Sequence, residues 1–171
     1  MFDRKLLLSV TLIAAGLAAC GGAPASPAAT PDMATLAGRI PAAIDGDALT
    51  VSPPLAARAD MPEWLAKTVA RSGGDFGTTS VVIVRSAGGN TTAVLVRIPG
   101  VPVEKIADAY RAYRASTASK SKPEPVEIDG RTISKYPGDV NAYYFAVGDL
   151  LVYVTAVDDR TVAQMVAGLP R

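Results

Sequence analysis

Few residues in this sequence have the chemistry for nucleophilic catalysis. The chain contains no histidine and a single cysteine, Cys20, which excludes Ser-His-Asp and Cys-His catalytic sets and the commonest zinc sites. A Ser-Lys pair occurs at Ser134-Lys135. Because adjacent residues of a β-strand point to opposite faces, we do not expect this pair to act as nucleophile and base.

Two Asp-Gly pairs, Asp45-Gly46 and Asp129-Gly130, supply carboxylates in similar sequence contexts. Paired carboxylates can act as general acid and base. Asp-Gly is also one of the strongest signals for a two-residue hairpin turn, in which both central residues take positive φ. We therefore interpret both pairs as turns.

Neither a metal site nor a phosphate loop is predicted. Asp158-Asp159 could bind a cation, but it stands where the last helix begins, where acidic side chains accept hydrogen bonds from free backbone N–H groups. The Gly73-Gly74 and Gly88-Gly89 pairs are not followed by Gly-Lys-Ser/Thr. We expect no enzymatic activity, no cofactor and no metal ion.

The N-terminus has the order of charges and apolar residues that is typical of an exported protein. Arg4 and Lys5 precede an apolar run over 6–19, which is short for a membrane span. Leu17-Ala18-Ala19-Cys20 resembles the lipobox of bacterial lipoproteins. The resemblance implies a signal peptide over 1–19, a lipid on the Cys20 thiol, and a location on the cell membrane or outer membrane, facing the periplasm or the exterior.

The segment after Cys20 predicts a tether and then one domain. Residues 20–35 are mostly small residues and proline, which cannot bury enough apolar surface to fold, so residues 36–171 form the predicted domain. Removal of residues 1–19 would leave equal numbers of basic and acidic residues. A neutral domain has no long-range attraction for phosphate backbones, so nucleic acid is not an expected partner.

The predicted domain contains an internal repeat, with halves at about 39–115 and 124–171. The segments 44–50 and 128–134 both begin with Ile-Asp-Gly, and each half continues with a hairpin and a helix. The first half also contains an added helix over 60–71, capped by Asp60 and Glu63. The repeat predicts a pseudo-symmetric α+β fold, an antiparallel sheet with its helices mainly on one face.

An apolar second face of this sheet is the predicted binding surface. Strand alternation assigns to this face a set with the composition of a recognition surface: Leu95, Arg97, Tyr144, Leu151 and Tyr153. The alternative is that the Trp64 helix, or the segment 36–55, covers the face. Four basic residues near the end of the first long helix complement its dipole or contact anionic lipid headgroups: Arg111, Arg114, Lys120 and Lys122.

These observations favour a membrane-anchored, non-enzymatic binding module for an envelope protein or an apolar ligand. The alternative is a structural or assembly subunit of an envelope complex.

Overall fold

The computed structural model describes residues 32–55, 58–117 and 121–170. Cys20, the predicted signal peptide and Lys120 lie outside these residues. The described chain forms four α-helices and eight β-strands, in the order α1 (Met33–Ala37), β1 (Ala43–Ile44), β2 (Asp47–Val51), α2 (Glu63–Ser72), β3 (Ser80–Ser86), β4 (Thr92–Arg97), α3 (Val103–Ser116), β5 (Glu124–Ile128), β6 (Arg131–Tyr136), β7 (Asn141–Val147), β8 (Leu150–Ala156) and α4 (Asp159–Val166).

All eight strands belong to one antiparallel sheet, in the order β1-β2-β3-β4-β8-β7-β6-β5. The predicted α+β class and antiparallel sheet are therefore confirmed. The first four strands follow chain order from one edge, the last four follow it from the other edge, and β4 pairs with β8 in the centre.

The two Asp-Gly turns are confirmed. Asp45 and Gly46 have φ of 48° and 83°, and Asp129 and Gly130 have φ of 51° and 68°. Each turn joins a two-stranded edge hairpin, β1–β2 or β5–β6. Positive φ at both central residues matches the right-handed twist of the flanking strands.

Two helix ends lie where local sequence signals favour them, and the start of α2 differs from the one predicted. Asp158 accepts a 2.8 Å hydrogen bond from the Thr161 backbone N–H and so caps α4 as predicted. Gly73 ends α2 in the left-handed conformation, with φ of 77°. However, α2 begins at Glu63 after Pro62, without a side-chain cap, and Asp60 belongs to a separate 3-10 turn. Pro62 suits this start, because a helix needs no N–H donor there.

The helices are divided between the two faces of the sheet. Helices α1 and α4 pack in one apolar cluster with Val82, Val152 and Val154, which we call the α4-side cluster. Helices α2 and α3 pack in the other cluster with Val81 and Leu151, which we call the α3-side cluster. The expectation that the helices lie mainly on one face is therefore not confirmed.

Both edge hairpins close around α4. This helix contacts β8 and also β1 and β5, the two edge strands, so the sheet curves around it. On one side, Arg160 and Gln164 donate to the Asp45 carboxylate at 3.2 and 3.0 Å. On the other side, Arg131 donates to the carbonyl oxygens of Leu169 and Pro170, both at 2.6 Å. The sheet has one concave side, and α4 occupies it.

Within the described parts of the chain, no helix is long and apolar enough to cross a membrane.

Candidate ligand-binding cleft

The five residues of the predicted recognition surface do not form one surface. Leu95, Tyr144 and Leu151 are 0%, 5% and 1% exposed. Leu95 pairs with Val152 in the α4-side cluster, whereas Leu151 belongs to the α3-side cluster. The register of β4 against β8 therefore separates residues that we had assigned to one face, because a one-residue shift moves a side chain to the opposite face.

The other two members of the predicted surface are half-buried. Arg97 forms an ion pair with Asp149, with Nε 3.1 Å from the carboxylate. Tyr153 lies under Trp64, and the two ring centroids are 5.1 Å apart. Of the two covers considered for this face, the Trp64 helix is the one that the geometry supports, because α2 packs in the α3-side cluster with Leu151 and Tyr153. The segment 36–55 instead contributes strands β1 and β2 to the sheet itself.

Ser134 and Lys135 are directed to different surroundings, as strand alternation predicts. Ser134 pairs with Tyr144, which lies in the α3-side cluster. Lys135 Nζ instead donates to Asp159 Oδ1 on α4, at 2.9 Å. The serine hydroxyl and the lysine amine therefore cannot act on one substrate atom.

The Asp159 carboxylate accepts hydrogen bonds from two side chains of the sheet. Tyr143 Oη lies 2.7 Å from Asp159 Oδ1, and Lys135 Nζ donates to the same oxygen. The Tyr143 hydroxyl, followed by Lys135, lowers the pKa of Asp159 because both stabilise the carboxylate. Burial, reinforced by the Asp159 charge, raises the pKa of Tyr143. This contact fixes the start of α4 on the sheet and engages the Asp159 carboxylate.

A polar cleft of about 220 Å³ lies between the β1–β2 turn and the start of α4. Its two carboxylates are already engaged: Asp45 with α4, and Asp47 with the Gly88 backbone N–H at 3.0 Å. Among the described residues, no group of three or more His, Cys, Asp or Glu side chains could hold a metal ion.

An apolar opening in the described surface lies between α1 and the strand β2. It has a volume of about 330 Å³ and is lined by Ala34, Ala37, Gly38, Val51, Ser52, Pro54 and Val82. Ser52 is the one lining residue with a polar side chain, and its Oγ accepts a 3.0 Å hydrogen bond from the Ile83 backbone N–H. We call this opening the α1–β2 cleft.

Two features suit the α1–β2 cleft to an apolar ligand. Val51 is 43% exposed at the rim of the cleft, so its apolar side chain is available to contact a ligand. The volume of the cleft, about 330 Å³, falls at the lower end of the roughly 300–1,000 Å³ that is typical of small-molecule sites.

The sequence did not predict this cleft because part of its lining comes from α1. Met33–Ala37 was assigned largely to the tether, yet Met33 and Leu36 are buried, and Asp32 caps the helix with a 2.9 Å bond from the Thr35 N–H. The Asp-Met-Ala-Thr-Leu stretch carried a capping signal. It was too short to be distinguished from its Pro- and Ala-rich surroundings.

No protein-family model matches this chain, and neither a curated protein nor a solved structure shows significant similarity to it.

Proposed function

We propose that the protein is a lipid-anchored, non-enzymatic binding domain that holds an apolar ligand in the α1–β2 cleft. The observation that carries the proposal is the apolar lining of this cleft, in contrast to the polar cleft beside Asp45. An aliphatic lining favours ligands by burial of apolar surface, without fixed polar partners.

The position of the cleft supports access from a membrane. Ala34 lines the cleft and lies two residues after Asp32, where the described chain begins. If Cys20 carries a lipid, as its lipobox-like context implies, the intervening chain reaches at most about 40 Å. The cleft would then stay near the bilayer surface of the cell membrane or outer membrane, where apolar ligands are concentrated.

We also infer that the domain arose by duplication of a unit of four strands and a helix. The mirrored strand order, the two Asp-Gly turns with matching φ and the central β4–β8 pair support this inference. Helices α3 and α4 depart from the symmetry because they lie on opposite faces. Since α4 fills the concave side, α3 has to pack on the other side of the sheet.

The anchor is tested by metabolic labelling with palmitate in a bacterium that expresses the full chain. The wild-type protein should incorporate the label and have Cys20 as its first residue. Cys20→Ala should remove both the label and the cleavage. Equal labelling of the wild type and the Cys20→Ala variant would contradict the anchor.

The ligand is tested by native mass spectrometry of the lipidated protein, released from its own membranes in mild detergent. The proposal predicts an additional mass in the range of a small apolar molecule, lost from Val51→Asp. A stoichiometric second polypeptide without a small-molecule adduct would instead identify a subunit of an envelope complex, and would contradict the proposal.

A further inference from the structure

A second group of side chains on the opposite side of the sheet is rich in hydrogen-bond donors and poor in acceptors. It lies where the last turns of α3 cross β6, β7 and β8. We call it the tyrosine–arginine cluster and define it by Tyr110, Arg111, Arg114, Tyr136, Tyr144 and Tyr153. Its tyrosines pack with the α3-side cluster, whereas the α1–β2 cleft is lined by residues such as Ala37 and Val82 of the α4-side cluster.

The rings of this cluster are in continuous contact. The ring centroid of Tyr110 is 5.4 Å from that of Tyr144 and 5.3 Å from that of Tyr153. Tyr136 stacks on Tyr144 at 5.8 Å, and the Arg114 guanidinium lies 5.0 Å from the centroid of Tyr136. A cation–π contact with the Tyr136 ring therefore positions the Arg114 guanidinium against the tyrosines.

Two donors of the cluster lack a well-formed hydrogen bond, although the Tyr153 hydroxyl is near enough to that of Tyr110 to influence its pKa. Tyr110 Oη and Arg114 Nε are both buried, and neither makes a hydrogen bond of acceptable geometry with the described residues. Tyr110 as a whole is 1% exposed. A buried polar group without a partner is unfavourable, and more so when it is charged, so folded proteins seldom keep one without a reason.

The charges of the cluster are also unbalanced. Arg111 is paired with Asp108 on its own helix. Arg114 forms no ion pair with any carboxylate of the described residues. Burial raises the pKa of Tyr110, Tyr136 and Tyr153, which keeps their hydroxyls protonated at neutral pH. The hydroxyls can therefore donate to an anion but cannot neutralise Arg114.

We propose that the tyrosine–arginine cluster binds a phosphate group, with Arg114 as its cation and the hydroxyls of Tyr110 and Tyr153 as further donors. A phosphate presents several acceptor oxygens in different directions, and guanidinium groups bind it with two parallel hydrogen bonds. Arg114 and Tyr153 are half-buried and Arg111 is exposed, so the site is reached from the surface. The phosphate comes from an anionic lipid headgroup or from solution. This site is independent of the proposed α1–β2 cleft.

The protein carries its own reporter for this test. Trp64 is the single tryptophan of the chain, and its ring centroid lies 5.5 Å from Tyr110 and 5.1 Å from Tyr153. The full chain in a non-ionic detergent is titrated, at constant ionic strength, with inorganic phosphate and separately with short-chain phosphatidylglycerol or phosphatidylcholine. Trp64 emission should change saturably. Saturation by phosphate identifies the free ion, and saturation by phosphatidylglycerol alone identifies a headgroup.

Three variants separate the site from a general charge effect. Arg114→Gln should weaken binding by about tenfold or more, and Tyr110→Phe, which keeps the ring, by about three- to tenfold. Arg71→Gln removes one exposed positive charge of α2, near Ser116, and should bind as the wild type does. The proposal is overturned if no probe gives a saturable change, if Arg114→Gln and Tyr110→Phe both bind as tightly as the wild type, or if Arg71→Gln loses as much affinity as Arg114→Gln.

Discussion

Ile44 and Ile128, which precede the two Asp-Gly turns, both pack into the core around α4 from opposite edges of the sheet. Each is 5% exposed and belongs to the α4-side cluster. Their strands, β1 and β5, are the first and last of the sheet, and both contact α4. The repeated Ile-Asp-Gly motif therefore does more than turn the chain. Its isoleucine packs each edge hairpin against the same helix, α4.

Truncation of either isoleucine should destabilise the whole domain. Ile44→Ala and Ile128→Ala each remove apolar contacts and leave a cavity, so each should lower the free energy of unfolding by about 2–4 kcal/mol. Urea denaturation followed by circular dichroism measures this. Val140→Ala, at a side chain that is 53% exposed, is the control and should change stability by less than about 0.5 kcal/mol. A loss confined to one hairpin, with the main transition unchanged, would contradict the account.

Gly168 should not tolerate a side chain. A Cβ atom at this position would overlap the carbonyl oxygen of Arg39, just after α1. Gly168→Ala should therefore cost about 1–3 kcal/mol, because the chain after α4 must move away from the chain after α1. Gly38→Ala is the matched control, since its Cβ would meet only ordinary contacts at 3.5 and 3.6 Å. Equal thermal midpoints for the Gly168→Ala variant and the wild type would refute this close approach.

Asp159 should make stability depend on acid pH. Its pKa in the folded protein is lowered below the ordinary value of 3.8 by Tyr143 and Lys135. A lowered folded pKa means that the stabilisation is present above the unfolded pKa and is lost as pH falls through the folded value. Below about pH 4 the protein should therefore lose stability. Asp159→Asn should lose less over the same range, because its amide does not titrate.

The measurement is a series of urea denaturations between about pH 6 and about pH 2. Asp139→Asn, in the exposed loop between β6 and β7, is the control and should follow the wild type. Identical pH profiles for Asp159→Asn and the wild type would show that the contact between Tyr143 and Asp159 does not contribute to stability.

Leu151→Asp should prevent folding rather than merely abolish binding. Leu151 is 1% exposed inside the α3-side cluster, where an unpaired carboxylate is strongly unfavourable. Val157→Asp, at a residue that is 53% exposed, should fold normally. A cooperative thermal transition of Leu151→Asp like that of the wild type would mean that this face of the sheet is open and is not covered by α2 and α3.

Local signals in the sequence were sufficient to predict both Asp-Gly turns and the cap of α4, although not the start of α2. Asp129-Gly130 adopts the conformation that its two residues favour, and Asp158 caps α4, since both depend on neighbours in the chain. The grouping of Leu95 with Leu151 was wrong because the register between β4 and β8 depends on long-range pairing.

The α1–β2 cleft could not be predicted from the sequence either, because its lining residues come together only when distant segments of the chain pack. Its lining comes from α1, from the chain around Val51 to Pro54, and from Val82 in β3. None of these segments has a motif that indicates a ligand. The four tyrosines of the tyrosine–arginine cluster likewise come from four different elements. The sequence indicated Tyr144 and Tyr153 for a sheet face, and Arg111 and Arg114 for a helix end, but nothing in it brought the two sets together.

Binding of a fluorescent long-chain fatty acid tests the central proposal most directly. A soluble form that starts at Gly21 retains every described helix and strand and avoids competition from detergent. The proposal predicts saturable binding to the wild type, weakened by about tenfold or more in Val51→Asp, where a carboxylate enters the apolar rim. Val140→Asp, at a somewhat more exposed valine outside the cleft, should bind as the wild type does. Absence of saturable binding to the wild type, or equal affinity for Val51→Asp, would contradict the assignment of the α1–β2 cleft as the ligand site.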